Sequence, residues 1–333
     1  MKKKLYDDQL IVITGAAGFI GSGVVRYLND KGFNNLLLVD DLEQGAKWKN
    51  LIGKKYYDFI GINELFPWLV GREKDIEAFI HLGACSNTLE TNGDYILENN
   101  YRYSVKIAEY ALENNHRFIY ASSAATYGNG SLGFSDDHDM IDKLEPLNLY
   151  GFSKQMFDMW AKEQGVLQKL VGLKYFNVYG PNEAHKGNMS SMVYKMYPSV
   201  VEKGVVSLFK STEPDKYADG AQVRDFIYVK DAVKMTCNFL ENDIGGIFNI
   251  GTGQATTWNA LAKALFKAAK KPEKIEYIET PKSLAAQYQN YTKAEMAKYC
   301  KAFSLPGYVS LDYPLEKAVA DYVTNYLSKD ARW

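Results

Sequence analysis

The stretch Gly15-Ala16-Ala17-Gly18-Phe19-Ile20-Gly21 follows directly after the apolar run Leu10-Ile11-Val12-Ile13. The apolar run predicts a buried strand over residues 10–14, and the residues after it predict a helix over 18–31. Glycines at this spacing allow a tight turn, a close approach of the backbone to a pyrophosphate, and close packing of the helix on the strand. The N-terminus of the helix offers unpaired N–H groups to an anion. The sequence therefore predicts that a dinucleotide binds at this turn.

The same alternation of short apolar runs and helix-length segments continues outward from this motif. Strand, helix and strand in this order imply right-handed parallel crossovers. The sequence therefore predicts an α/β fold with a doubly wound parallel sheet of the Rossmann type and a smaller, mixed C-terminal substrate-binding part. Further strands are predicted over residues 36–40, 78–82, 117–122, 171–175 and 246–251, and further helices over 95–114 and 150–165.

The pattern becomes less regular after residue 180. We expect residues 1–180 to form mainly the dinucleotide-binding domain and residues 181–333 mainly the substrate-binding part, with 220–260 returning to the first domain. Segments 187–197, 205–212 and 275–280 have the mixed character of insertions. Ligands of open α/β sheets bind at the carboxyl ends of the strands, so we expect the C-terminal part to cover that edge.

Composition and charge narrow the classes of function. Of 333 residues, 47% are hydrophobic and the formal net charge is −1, which favours a globular protein that binds neither nucleic acid nor an anionic membrane surface. No apolar run approaches the ~18 residues of a membrane helix, and the run at 10–13 is too short for a signal peptide. Three scattered cysteines and four histidines lack the spacing of metal ligands. We therefore expect a cytoplasmic protein without a metal site.

Asp40 closes the second predicted strand, about 20 residues after the glycine motif. A carboxylate there bonds the adenosine ribose hydroxyls and favours NAD over NADP. Asp41 adds a second negative charge that would repel a 2′-phosphate, and Lys47 lies close enough along the loop to offset it. The residues alone therefore favour NAD.

A second motif, Tyr150-Gly151-Phe152-Ser153-Lys154, carries the predicted chemistry. Tyr150 and Lys154 are four residues apart, so on a helix they share one face. A nearby ammonium stabilises a phenolate and lowers the tyrosine pKa, which would make Tyr150 a usable general acid and base. Ser123 closes a predicted strand and would bond the reacting oxygen beside Tyr150.

These motifs resemble the extended short-chain dehydrogenase/reductase superfamily, which includes sugar-nucleotide epimerases and dehydratases. The chain is similar over nearly its whole length to the ADP-L-glycero-D-manno-heptose 6-epimerase family within it. The most discriminating element is His185-Lys186-Gly187, because general sugar-nucleotide epimerases lack it. The other matching segments are residues 83–86, 121–128, 175–181, 224–229, 248–253 and 288–289.

The resemblance implies inversion of C6″ of ADP-D-glycero-D-manno-heptose through a transient 6″-ketone, a step in making the inner-core heptose of lipopolysaccharide. One hydride leaves and returns to the opposite face, so a proton donor is needed on each face. This gives Lys186 a role as the second acid/base beside Tyr150, although the sequence does not say which residue serves which face. The resemblance also implies one tightly bound NADP per subunit, with NAD as the alternative, and a homo-oligomer, with a pentamer as the expected assembly.

Site residues follow from the resemblance by position, with Tyr150, Lys186, Ser123 and Lys154 as the catalytic set. A guanidinium such as that of Arg224 can bond two phosphate oxygens at once and suits the diphosphate. On the cofactor side the residues are Gly15, Gly18, Phe19, Ile20, Gly21, Asp40, Asp41, Lys47, Leu82, Gly83, Ala84, Cys85, Ser86, Asn99, Tyr150, Lys154, Val178 and Lys186. On the substrate side they are Ser123, Asn177, Asn188, Lys195, Phe209, Lys210, Ser211, Thr212, Arg224 and Tyr288.

Two other functions are compatible with the dinucleotide motif. A UDP- or dTDP-hexose 4-epimerase would share the Tyr and Lys pair but would not need Lys186, whereas a 4,6-dehydratase should carry an acidic pair where this chain has Ala124-Ala125-Thr126. A non-catalytic dinucleotide sensor tends to keep the glycines and lose the Tyr or Lys. Retention of Ser123, Tyr150 and Lys154 favours an enzyme.

Overall fold

The computed structural model describes residues 5–281 and 289–333. Within these residues the chain divides into two compact units. Unit 1 lies within Met1–Gly128, Asp136–Tyr175 and Val233–Phe248, and unit 2 within Asn129–Ser135, Phe176–Ala232 and Asn249–Trp333. The segment that returns to unit 1 is thus shorter than the predicted 220–260. The assignment of cofactor and substrate to separate parts stays a prediction.

Unit 1 is built on a sheet that has seven strands within the described residues. Neighbouring strands are parallel in the five pairs from β6 to β3, which confirms the predicted α/β fold with a Rossmann-type sheet. The strands are β1 (Leu10–Thr14), β2 (Leu36–Val39), β3 (Asp58–Ile60), β4 (Ile76–His81), β5 (Arg117–Ser123), β6 (Leu170–Tyr175) and β11 (Gly246–Ile250), in the order β11-β6-β5-β4-β1-β2-β3. The sequence analysis missed β3, because three residues that begin with an exposed aspartate carry no strand pattern.

Strands of this sheet are apolar because a parallel sheet is covered on both faces. All five residues of β1 are buried, and Val12, Leu37, Phe79 and Phe118 lie in one apolar cluster with the helices. Burying each of these side chains contributes about 1.5–3 kcal/mol. The carboxyl ends of β1, β4 and β5 are thereby fixed at one edge of the sheet.

The predicted helices of unit 1 begin and end close to the predicted residues with one difference, and the short helix at Leu65–Leu69 was not predicted. The segment predicted as a single helix over 95–114 consists of two α-helices joined by a π-helical segment, Leu97–Arg102. The α-helices are α1 (Phe19–Asp30), α2 (Leu65–Leu69), α3 (Gly93–Ile96), α4 (Tyr103–Glu113) and α5 (Leu149–Glu163).

Unit 2 has short strand pairs and its own apolar cluster, which includes Val193, Leu208 and Leu261. Two segments that the sequence analysis treated as insertions pair with each other as parallel strands, β8 (Val206–Phe209) and β13 (Ile275–Ile278). The other pairs are β7 (Asn177–Tyr179) with β10 (Phe226–Tyr228), and β9 (Val223–Arg224) with β12 (Thr256–Thr257). The remaining helices are α6 (Met192–Lys203), α7 (Val229–Cys237), α8 (Trp258–Ala268), α9 (Ala297–Ala302) and α10 (Leu315–Asp321).

Short 3₁₀ and π turns connect these elements. None of the described helices has the length and apolarity that crossing a membrane requires. The 3₁₀ turns cover Lys47–Leu51, Ile62–Glu64, Ala124–Tyr127, His138–Lys143, Leu167–Lys169, Ala184–Met189 and Leu327–Lys329, and a second π-helical segment covers Tyr322–Tyr326.

Candidate active site

The glycine motif forms the turn between β1 and α1 in unit 1. Gly15 has a φ of +67°, and a Cβ added there would lie 2.7 Å from the backbone nitrogen of Gly83. A Cβ at Gly21 would lie 2.1 Å from the Gly15 carbonyl oxygen. The first turn of α1 has neither a side-chain cap nor an acidic residue. This backbone cradle therefore fits a pyrophosphate, which needs close approach and an uncapped helix N-terminus.

Asp40 fastens the glycine turn from the end of β2. Its Oδ2 accepts the Ala17 N–H at 2.8 Å, and its Oδ1 accepts the Asp41 N–H at 2.9 Å and the Lys47 ammonium at 2.6 Å. The Asp41 Oδ1 in turn accepts the Ile62 N–H at 3.1 Å. Lys47 therefore offsets the charge of Asp40, whereas the sequence analysis expected it to offset that of Asp41, with whose carbonyl it forms a hydrogen bond at 3.0 Å.

The loop after β4 is held against the glycine turn by a directional chain of hydrogen bonds. The Gly83 N–H donates to Thr14 Oγ1 at 3.0 Å, and Thr14 Oγ1 lies 2.6 Å from His81 Nδ1. On the other side of the ring, His81 Nε2 lies 2.8 Å from Ser104 Oγ, which itself donates to the Asn100 carbonyl. Burial, with a contribution from the charge of Lys154, lowers the pKa of His81 to about 3. The imidazole is therefore neutral and acts as a structural bridge.

Asn100 is a site residue that the sequence analysis missed. It is buried in the π-helical segment, and its side chain bonds both the N–H and the carbonyl of Cys85, at 2.8 and 2.9 Å. The same amide donates to Ser153 Oγ on α5 at 3.0 Å, and the predicted Asn99 donates to its Oδ1. Since π-helical segments often mark functional sites, the helix irregularity was the signal, but it is visible only in the structure.

Ser123 and Tyr150 lie near each other in unit 1, where an interaction with the Ser123 side chain favours the phenolate form of Tyr150. Ser123 ends β5 and caps the next 3₁₀ turn, while Tyr150 lies in the first turn of α5, whose N-cap is Asn148. The Lys154 Nζ lies 6.0 Å from the centre of the Tyr150 ring. The structure thus brings the strand-end serine, the phenol and the ammonium to one place.

The sequence analysis predicted a lowered pKa for Tyr150, and this direction is wrong. Burial raises the pKa of Tyr150, the hydrogen bond with Ser123 works in the opposite direction, and Cys85 adds to the rise. Burial also lowers the pKa of Lys154 to about 8, against the opposing charge of Asp158. Desolvation outweighs the lysine because the ammonium is several ångströms from the phenol ring. Tyr150 is therefore a proton donor at rest.

Asp158 is a second site residue that carried no recognisable motif. It lies one turn after Lys154 on α5 and is fully buried. Its carboxylate accepts the Lys174 ammonium at 2.8 Å, the Tyr120 hydroxyl at 2.9 Å and the Ser122 hydroxyl at 2.7 Å. Asp158 therefore ties the ends of β5 and β6 to the helix that carries Tyr150 and Lys154.

Lys186 lies in unit 2, in the 3₁₀ turn Ala184–Met189. Burial lowers the pKa of Lys186, Glu183 opposes this change, and Lys195 adds to it. The Lys195 ammonium donates to the Asn188 carbonyl at 2.6 Å, so two predicted substrate residues meet beside this turn. A lowered pKa favours the neutral form of this amine, which is the form that can accept a proton.

The other predicted substrate residues of unit 2 have different surroundings. Arg224 is 7% exposed on β9, with its Cζ 5.7 Å from the Trp258 ring. Its neighbour Asp225, which the sequence analysis did not single out, accepts the N–H groups of Thr252, Gly253 and Ala294. Asn177 is exposed on β7; Phe209 ends β8; Lys210 pairs with Glu279; the Ser211 N–H bonds Asp219; Thr212 bonds Asn290; and Tyr288 lies outside the described residues. Val178, which was predicted on the cofactor side, is half-buried on β7.

Known proteins are similar to this chain in sequence and in structure. Residues 11–251 match the model of the NAD dependent epimerase/dehydratase family. A protein of Nitratidesulfovibrio vulgaris named ADP-L-glycero-D-manno-heptose-6-epimerase is 46% identical over 96% of this chain and 98% of its own length. A protein of the same name from Fusobacterium nucleatum is 45% identical over 96% of this chain and 99% of its own. The crystal structure of the Helicobacter pylori ADP-L-glycero-D-manno-heptose-6-epimerase superposes with a TM-score of 0.80 at 28% identity, covering 96% of both chains.

Proposed function

The chain belongs to the NAD-dependent epimerase/dehydratase family, and we propose that it inverts C6″ of ADP-D-glycero-D-manno-heptose to give ADP-L-glycero-D-manno-heptose. The observation that carries this proposal is the placement of Tyr150 near Ser123 with Lys154 one turn along α5, in a chain 46% identical to a 6-epimerase. The reaction is an isomerisation, so the protein is an enzyme of the epimerase class.

A nicotinamide cofactor bound in unit 1 would supply the redox chemistry of the inversion, as acceptor and donor of the C6″ hydride. The glycine turn, Asp40 and the loop held by Asn100 are the groups of unit 1 that would hold it. We propose NADP, since Lys47 lies 2.6 Å from the Asp40 carboxylate and offsets its charge. Denaturing the purified protein and identifying the released nucleotide by mass tests this choice, and release of NAD alone would overturn it.

Proton transfer falls to two side chains in this proposal. When the C6″ hydroxyl is oxidised its proton passes to one group, and when the ketone is reduced the oxygen takes a proton from the other. Tyr150 and Lys186 are the two groups, Ser123 bonds the reacting oxygen, and Lys154 favours the phenolate when Tyr150 has given up its proton. Burial raises the pKa of Tyr150 and lowers that of Lys186, so it favours the protonated phenol as acid and the neutral amine as base.

Substrate binding is assigned to unit 2. We propose that Arg224 bonds the diphosphate, because a guanidinium fork matches two phosphate oxygens. Asn177, Asn188, Lys195, Tyr288 and residues 209–212 complete the proposed substrate contacts. We further propose that the enzyme is a cytoplasmic homo-oligomer, with a pentamer as the expected assembly, and that it serves lipopolysaccharide inner-core synthesis. Sedimentation equilibrium measures the number of subunits.

Two variants test the proposed acid and base groups. Tyr150→Phe should lower turnover by about 10²-fold or more, since a positioned acid/base group contributes ~10²–10⁴-fold, and Lys186→Met should lower it similarly. Proton NMR of ADP-D-glycero-D-manno-heptose follows the inversion directly. Tyr308→Phe and Lys271→Met, at exposed positions, are matched controls that should keep the wild-type rate.

Two outcomes would overturn the proposal. If Tyr150→Phe and Lys186→Met both epimerise at near wild-type rate, the two-base assignment is wrong. If the protein inverts UDP-glucose and leaves ADP-heptose unchanged, the hexose 4-epimerase alternative is correct. A protein that never reduces its cofactor with any sugar nucleotide would instead be a dinucleotide sensor.

A further inference from the structure

Glu183 is a buried carboxylate three residues before Lys186, with only 1% of the residue exposed. Its Oε1 accepts the Gly180 N–H at 3.1 Å, the Ser191 hydroxyl at 2.7 Å and the Tyr322 hydroxyl at 3.0 Å. Its Oε2 accepts the Ser191 N–H. One side chain thus joins both ends of the segment 180–191, which contains Lys186.

The segment between these two ends contains the 3₁₀ turn Ala184–Met189. Gly187 interrupts this turn with a φ of +52°, a left-handed conformation that favours glycine. Because the interruption comes one residue after Lys186, we expect the position of Lys186 to respond to how the two ends of the segment are tied together.

The C-terminal segment contacts the same loop at two points. Tyr322, at the start of the π-helical turn after α10, donates to Glu183. Trp333 exchanges two hydrogen bonds with the Asn182 side chain, at 2.8 and 3.0 Å. These contacts link residues about 140–150 positions apart in sequence, so they close the loop against the rest of unit 2.

Charge gives Glu183 a second effect on Lys186. Glu183 favours the ammonium form, whereas burial and Lys195, from α6, disfavour it. The other titratable groups that act on the Glu183 and Tyr322 pair are Tyr194 on α6 and Arg332 near the C-terminus. Of these groups, Glu183 is the one whose negative charge favours a protonated Lys186.

We propose that Glu183 is a positioning residue for the epimerisation, with Tyr322 as its support: its carboxylate closes the 180–191 loop and thereby holds Lys186 in place. The proposal rests on the proposed role of Lys186. It assigns the C-terminal segment a part in the reaction, because Tyr322 and Trp333 hold the loop from outside its own sequence.

Steady-state kinetics of the full-length protein with ADP-D-glycero-D-manno-heptose test the proposal. Glu183→Gln keeps one acceptor oxygen and removes the charge, and Tyr322→Phe removes one hydroxyl. We expect Glu183→Gln to lower kcat on the order of tenfold and Tyr322→Phe about threefold, with KM within about twofold of wild type, because the ground-state contacts of the substrate stay. Glu202→Gln, exposed on the same unit, and Tyr308→Phe are the matched controls.

The pH profile of kcat separates positioning from a merely structural role. Without the charge of Glu183, the pKa of Lys186 should fall, so one apparent pKa of the profile should move to lower pH in Glu183→Gln and the other should stay. A folded Glu183→Gln with unchanged kcat and unchanged profile would overturn the proposal. So would a loss of thermal stability without any change in kcat. If Glu183→Gln does not fold, an unchanged kcat in folded Tyr322→Phe overturns it equally.

Failure of this inference and failure of the proposed function give different results. If Lys186→Met is inactive while Glu183→Gln behaves as wild type, only the positioning role is wrong. If Lys186→Met itself turns over at the wild-type rate, the role of Lys186 is wrong, and any effect of Glu183→Gln belongs to another group.

Discussion

Asp158 in unit 1 and Glu183 in unit 2 are buried carboxylates beside lysines with proposed catalytic roles, but they are stabilised in different ways. Asp158 accepts the Lys174 ammonium together with two hydroxyl groups, and the two ion-pair side chains are 0% and 2% exposed. The described donors to Glu183 are two hydroxyl groups and two backbone N–H groups, all of them neutral. One carboxylate has a counter-ion and the other depends on oriented dipoles.

The two carboxylates therefore differ in how the cost of burying their charge is compensated. A buried charge with a counter-ion recovers much of its desolvation cost through Coulomb attraction, but it becomes a liability when the partner is lost. A buried carboxylate held only by neutral donors recovers less of its desolvation cost, which favours its protonated form. Burial accordingly raises the pKa of Glu183 in spite of four hydrogen bonds. The ion pair of Asp158 lies at the edge of the sheet, whereas the carboxylate of Glu183 lies in the loop 180–191.

The largest test of this contrast removes the counter-ion of Asp158. Lys174→Met leaves a buried carboxylate without its cation and should destabilise the protein by about 3–5 kcal/mol. Urea denaturation measures the free energy of unfolding. The double variant Lys174→Met/Asp158→Asn removes both charges and should recover a large part of the loss. If the single variant lost less than about 1 kcal/mol, the ion pair would not be what holds Asp158.

The sequence predicted the features that have local signals and missed those that depend on contacts between distant residues. Regular strands and the motif residues of unit 1 were predicted because apolar runs and fixed spacings are local signals, as with β1 and the pair Tyr150 and Lys154. The pKa direction of Tyr150 was wrong, because spacing shows which groups are near each other and not how much water they lose on folding.

Supporting residues escaped prediction because their partners are distant in sequence. Asp158 meets Lys174 from the next strand, Asn100 meets Cys85 and Ser153, and Glu183 meets Tyr322 139 positions away. No local pattern marks such contacts. The strands β8 and β13 were seen only as insertions for the same reason, since their pairing joins segments about 70 residues apart.

A pair of tyrosine variants compares the two carboxylates by removing one hydrogen bond from each. Tyr120 donates to Asp158 at 2.9 Å and Tyr322 donates to Glu183 at 3.0 Å, so replacing either by Phe removes one similar bond. A hydrogen bond to a charged group is worth about 1.5–3 kcal/mol. We expect Tyr322→Phe to cost more than Tyr120→Phe, because Asp158 keeps its ammonium and Glu183 has only neutral donors left. Chemical denaturation of both variants measures this difference, and equal losses would mean that the counter-ion gives Asp158 no advantage.

The smallest effect is a pH dependence that belongs to Glu183. Its pKa in the folded protein is raised above the usual 4.5, so between these two values the folded state binds more protons than the unfolded state. Stability from this group is therefore fully present below pH 4.5 and is lost as the pH rises through the folded pKa, with a slope of at most about 1.4 kcal/mol per pH unit. The variant Glu183→Gln cannot titrate, so the wild type should gain stability relative to it as the pH falls through this window. Parallel urea titrations at several pH values give the slope. A stability difference that stays flat, or that grows as the pH rises, would show that the neutral donors compensate fully for the buried charge. Glu183 would then gain nothing from a counter-ion such as the one that Asp158 has.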